Sequence, residues 1–137
     1  MKTKHYLLFR IFTSLIFLYA GIGHLLNEDK ILSKLSSTQF YTMLPEKGII
    51  TALIYLSGIV MIAAGIMLAA GLKEKLAAIA LLLVLIPITI SVQIENLKDL
   101  GAFFKNVAIA GSLLFIIYNK KQHENKNTGI IHRNVIN

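Results

Sequence analysis

The chain has 137 residues, of which 55% are hydrophobic and only 15% charged, and it carries a net charge of +7. A water-soluble domain of this size carries about a quarter charged residues, so the composition excludes an ordinary soluble globule. With no cysteine, the chain has no disulfide chemistry, thiolate-held zinc, iron–sulfur cluster or covalently attached c-type haem of its own.

The apolar residues fall in four blocks, which predicts an all-α fold: an integral membrane four-helix bundle. The first block runs from about Tyr6 to Leu26 and is interrupted only by Arg10. Lys2, Lys4 and Arg10 ahead of an apolar core resemble a signal peptide. The length of the stretch and the lack of a small-x-small cleavage site instead predict a retained helix. The loop that follows is long, and Ile31, Leu32 and Leu35 in it have the spacing of one helix face. It is expected to lie on the membrane surface or to fold over the bundle.

The second span, 48–72, has no charged residue and contains Gly65-x-x-x-Ala69, a small-residue pattern that lets helices approach closely. A short hairpin turn, Gly71 to Lys75, leads into the third span, 76–94. Pro87 removes one backbone donor there and predicts a kink. Thr89, Gln93 and Asn96 follow at i, i+4 and i+7 and form one polar stripe. The fourth span, 101–118, carries Lys105 and Asn106 in its first turns and Ala108-x-x-x-Ser112 further on. Residues 119–137 are polar and rich in Asn and Lys, and a disordered tail is expected.

Charge placement predicts the orientation. Nine basic residues (Lys2, Lys4, Arg10, Lys73, Lys75, Lys120, Lys121, Lys126, Arg133) fall on one side of the four blocks. Five (Lys30, Lys34, Lys47, Lys98, Lys105) fall on the other, beside five acids. Basic residues mark the cytoplasmic face, so both termini and the tail are expected in the cytoplasm. Insertion and attraction to anionic lipid account for the basic excess, and nucleic acid is not an expected partner.

Ionisable groups within a span are costly and are functional candidates by default. Here they are Arg10, His24 and Lys105. Arg10 lies near the cytoplasmic end of the first span, where snorkelling to lipid phosphate competes with a functional role. His24 is fourteen residues further on, about 21 Å along the axis, so the two do not pair directly. Gly21 and Gly23 flank the histidine and predict close approach by a helix or ligand. The topology gathers His24, Gln93, Asn96, Lys105 and Asn106 at the outer membrane level. Such a cluster either holds the head group of a lipid-like ligand or forms a hydrogen-bond network that fixes helix register. No metal site is predicted, and haem would find His24 as the single histidine within a span.

The order Arg10…Phe17-x-x-Ala20-Gly21-x-x-His24, then Gly58 and Gly65, then Phe104-Lys105-Asn106-Val107-Ala108-x-Ala110-Gly111 resembles the DoxX-like family over about residues 7 to 118. The resemblance implies a single transmembrane domain over 1–118, in a multi-pass protein of the bacterial inner membrane. It also implies an accessory subunit associated with a redox system, with a quinone or lipid-like ligand near the outer leaflet and a membrane or periplasmic redox partner. The aromatic Tyr19, Phe103 and Phe104 suit such a ligand. A non-catalytic scaffold or assembly factor is the alternative, and no reaction is identified. The family often carries a glutamate three residues after the glycine equivalent to Gly58, and here that position is Met61. An acidic partner for Arg10 or His24 is therefore expected to be missing.

Overall fold

The computed structural model describes residues 3–38, 41, 46–90 and 100–135. They form five helices and no strand: α1 (Thr3–Leu26), α2 (Glu28–Ser36), α3 (Lys47–Ala70), α4 (Glu74–Thr89) and α5 (Leu100–Val135). Segments of α1, α3 and α5 (Lys4–Leu26, Gly48–Ala70 and Leu100–Asn119) are long and apolar enough to cross a membrane. A 23-residue helix rises about 34 Å, against a hydrocarbon core of roughly 30 Å. The described part of α4 has 16 residues and continues through Pro87 to Thr89. Gln93 and Asn96 lie outside the described residues.

The outer faces of these helices are apolar as well as the inner ones. Phe12, Tyr19, Leu26, Ile59, Leu83 and Phe104 are all exposed. Lipid can solvate such a surface, and water cannot do so without driving aggregation. Inside, Phe17, Met61, Leu68, Leu81, Leu85, Ile109, Leu113 and Ile116 form one cluster drawn from α1, α3, α4 and α5.

Consecutive long helices run antiparallel. Arg10 of α1 meets Ala69 at the end of α3, whereas His24 meets Ser57 nearer the start of α3. α4 begins beside Arg10 and ends where Thr89 meets Asn106 of α5. α5 then returns to α1, with the rings of Phe9 and Phe115 edge to face at 5.4 Å. The assembly therefore has an Arg10 end and a His24 end, and α2 sits at the latter against α1 and α3.

Two features fix the α1–α3–α4 geometry. The first is a backbone crossing. A Cβ on Gly21 would lie 2.9 Å from the carbonyl oxygen of Gly58, and one on Gly58 would lie 3.1 Å from that of Gly21. Only glycine at both positions permits the approach. Gly23, expected to share this role, would have nothing within 4 Å of an added Cβ, because it faces away from α3.

The second feature is the turn between α3 and α4. Gly71 closes α3 at φ 79°, with its N–H on Leu68 and the Leu72 N–H on the Met67 carbonyl. Lys73 is also left-handed, at φ 43°. Two left-handed residues in so short a turn direct Glu74, the first residue of α4, inward. At the other end of the chain, α5 continues past Tyr118 to Val135, through the residues expected as a disordered tail. Residues 119–128 contain neither proline nor glycine. A helix already nucleated within α5 extends at the cost of one residue per hydrogen bond.

Candidate functional site

The two ends differ in polar chemistry. At the Arg10 end, the guanidinium lies 2.6 Å from Glu74 Oε1, with the two side chains 12% and 5% exposed. Tyr6 donates its hydroxyl to Glu74 Oε2 at 2.7 Å, and Arg10 donates to the Ala69 carbonyl at 3.1 Å. The cation thus sits at the C-terminal end of α3 and the anion in the first turn of α4, both favourable for the helix dipoles. Gly71 leaves room for the guanidinium, since a Cβ there would lie 2.6 Å from Nη1.

This arrangement corrects two sequence-based expectations. Arg10 points into a protein contact rather than snorkelling to lipid, and an acidic partner is present. It comes from α4, not from the α3 position held by Met61. Met61 is 3% exposed and belongs to the apolar core with Phe17, so it fills space where the family often has a carboxylate.

At the His24 end, α1 presents a half-buried imidazole whose Nδ1 lies 2.7 Å from the Ser57 hydroxyl. Ser57 in turn donates to the Ile54 carbonyl at 2.7 Å, within its own helix. On the neighbouring elements, buried Asn106 of α5 donates through Nδ2 to Thr89 of α4 at 3.0 Å. Thr89 donates to the Leu85 carbonyl at 2.7 Å. Both networks join two helices, and each ends on a backbone oxygen.

Two cavities flank His24. One, of about 310 Å³, brings His24 together with Lys105 and Asn106, and Lys34 of α2 joins them over apolar walls that include Phe17, Met61, Leu85 and Ile109. The other, of about 370 Å³, is almost wholly apolar and is lined by Ile31 and Leu35 of α2, Ile54 and Ser57 of α3, and Pro87 of α4. His24, Ile31 and Ile88 line both. Of the residues singled out in sequence, His24, Lys105 and Asn106 therefore share a cavity. Arg10 belongs to the opposite end. Ser57, Thr89 and Lys34 complete the polar lining or its support. Ser57 is hidden in the sequence because a lone hydroxyl beside Gly58 in an apolar helix reads as a small packing residue. A larger groove of about 560 Å³, between α1 and α5, is lined by His5, Phe9, Ala108, Gly111, Ser112 and Phe115. No cluster of His, Cys, Asp or Glu suited to a metal occurs among the described residues.

The DoxX family model matches residues 5–94, about two thirds of the chain. The chain belongs to the DoxX family. The matched stretch carries α1 to α4, with Arg10, His24, Ser57 and Glu74, whereas Lys105 and Asn106 lie beyond it. No curated protein and no solved structure matches the chain. Family membership and the three apolar helices make this a multi-pass membrane protein embedded in lipid.

Proposed function

We propose that this DoxX-family chain is a redox-associated accessory subunit whose His24 end holds the head group of a quinone or another lipid-like ligand. The observation that supports this reading is the cavity that joins His24, Lys105 and Asn106 to apolar walls from α1, α3, α4 and α5. A ligand site of this kind needs a few placed polar groups over mostly apolar surface. The redox association rests on the family. With no cysteine in the chain, the ligand would carry electrons, and a partner protein in the membrane or periplasm would exchange them.

In this reading α1, α3, α4 and α5 are the four spans of a bundle in the bacterial inner membrane. Both termini are then cytoplasmic and the His24 end faces the outer leaflet. The antiparallel order of the helices and the nine-to-five asymmetry of basic residues support it. Gln93 and Asn96 are assigned to the same outer polar region on their helical spacing with Thr89.

A scaffold for a partner protein is the second reading. The groove between α1 and α5 favours it, because an apolar partner helix could cover Phe9, Gly111 and Phe115. Purification in mild detergent separates the two. A quinone retained by the wild type and lost in His24→Ala, with the fold intact, supports the ligand site. A stoichiometric protein partner with no quinone in either form refutes it in favour of the scaffold.

A further inference from the structure

We infer that the two cavities beside His24 are one bipartite site for a ligand with a long hydrocarbon tail. The head lies inside the bundle, and the tail lies between α3 and α4, where the site opens sideways into the lipid. The inference rests on the ligand-site reading above and assigns the ligand's tail and its route of entry.

The apolar cavity, of about 370 Å³, differs from its neighbour in chemistry. Its polar lining among the described residues is His24 and Ser57, and these two face each other, with Nδ1 and Oγ 2.7 Å apart. The other lining side chains are Ile, Leu, Val and Pro. Such a wall offers a head group little to bind, and a cavity lined this way stays dry and takes up hydrocarbon. Its shape suits an extended chain. On α3 it reaches from Ile50 to Val60, about 15 Å along the axis. On α4 it reaches from Ile88 back to Leu83. Because the two helices are antiparallel, both walls descend from the His24 end toward the middle of the bundle.

His24, Ile31 and Ile88 line both cavities, so one side chain each from α1, α2 and α4 stands where the two compartments adjoin. Beyond them lie Lys34, Lys105 and Asn106, the polar groups suited to a head. The apolar compartment opens to the side. Leu53, Leu56 and Leu83 on its rim are exposed, whereas Ile50 and Ile54 behind them are buried. At the His24 end, Ile31 and Leu35 of α2 cover it. A ligand therefore enters from the hydrocarbon layer between α3 and α4, not from water. A tail gains little by exchanging lipid for leucine and isoleucine, which are equally apolar. The compartment thus contributes fit and holds the head beside His24, and its effect shows as selection between tails.

The test uses the full chain in lipid nanodiscs with two matched probes, a benzoquinone carrying a decyl tail and the same ring without a tail. A mid-chain diazirine on the tailed probe should label α3 between Leu53 and Val60 and α4 between Leu83 and Ile88. Excess unmodified tailed probe should displace that label. Val60 lines the apolar cavity and not the polar one, so Val60→Phe fills the tail compartment. It should weaken the tailed probe about tenfold more than the tailless ring, the effect of forcing a chain into a filled pocket. Taking the ratio of variant to wild type for each probe removes their difference in bilayer partitioning. Three results overturn this inference: label spread over the lipid-facing surface, label that excess tailed probe does not displace, and equal weakening of both probes by Val60→Phe. The ligand-site reading survives any of them if His24→Ala still abolishes binding of the ring. Binding of neither probe to the wild type overturns both.

Discussion

Removing the Glu74 carboxylate is the sharpest perturbation of the fold. Glu74→Ala leaves the Arg10 guanidinium, 12% exposed, without its ion-pair partner and deprives the Tyr6 hydroxyl of its acceptor. Breaking a buried pair from one side costs about 3–5 kcal/mol. Loss of the Tyr6 bond adds about 1 kcal/mol. Arg10 keeps its bond to the Ala69 carbonyl and sits near a helix end, where lipid head groups and water can reach it. The lower end of the range is therefore expected, about 4 kcal/mol in all with the Tyr6 bond included. Replacing both charges, as Arg10→Met with Glu74→Leu, removes the uncompensated cation and should recover most of the loss, to within about 1 kcal/mol of wild type. The assay is equilibrium unfolding in mixed micelles, followed by circular dichroism, on Glu74→Ala and on the double variant. A cost below about 1 kcal/mol for Glu74→Ala would class the pair with exposed ion pairs and refute its role as the anchor between α1 and the α3–α4 turn.

Other perturbations probe other contacts. Gly58→Ala should destabilise by about 1–3 kcal/mol, because the new methyl meets the Gly21 carbonyl and the His24 side chain; Gly23→Ala is the control and should be neutral or slightly stabilising. Both are read from the same unfolding curves, and equal effects would contradict the crossing geometry. Lys73→Gly should stabilise by up to about 1 kcal/mol by relieving its left-handed backbone, and a loss of stability would show that the Lys73 side chain matters more than its φ. His24→Ala should lower stability by only about 1 kcal/mol, the value of one interhelical hydrogen bond, while abolishing binding of a quinone analogue. Loss of stability with unchanged binding would assign His24 a structural role alone.

Much of the helical frame is legible in the sequence. A charge-free run from Gly48 to Leu72 can only satisfy its backbone in lipid as a helix, and α3 follows it within two residues. The face formed by Ile31, Leu32 and Leu35 anticipates α2, which packs on α1 and α3. The partner of Arg10 is not legible in the same way, because Glu74 directly follows a turn whose two left-handed residues decide where it points, and periodicity carries no such information. A signal is present all the same: Glu74 and Glu124 are the two acids on the Arg10 side of the four blocks, and a cation within a span calls for one. The meeting of His24 with Ser57 depends on the crossing at Gly21 and Gly58, a pairwise property of two helices that neither sequence segment specifies alone.

Photolabelling tests the central claim, a ligand site at the His24 end, most directly. A short-tailed azidoquinone is irradiated with the protein in nanodiscs, and the labelled peptides are mapped by mass spectrometry. Label is expected on the α1 segment around Phe17 to His24 and on α5 around Lys105 to Ile109, competed by unlabelled quinone and lost in the His24→Ala variant. Label confined to the groove between α1 and α5, at Phe9 and Phe115, or spread evenly over the lipid-facing surface, would contradict the claim.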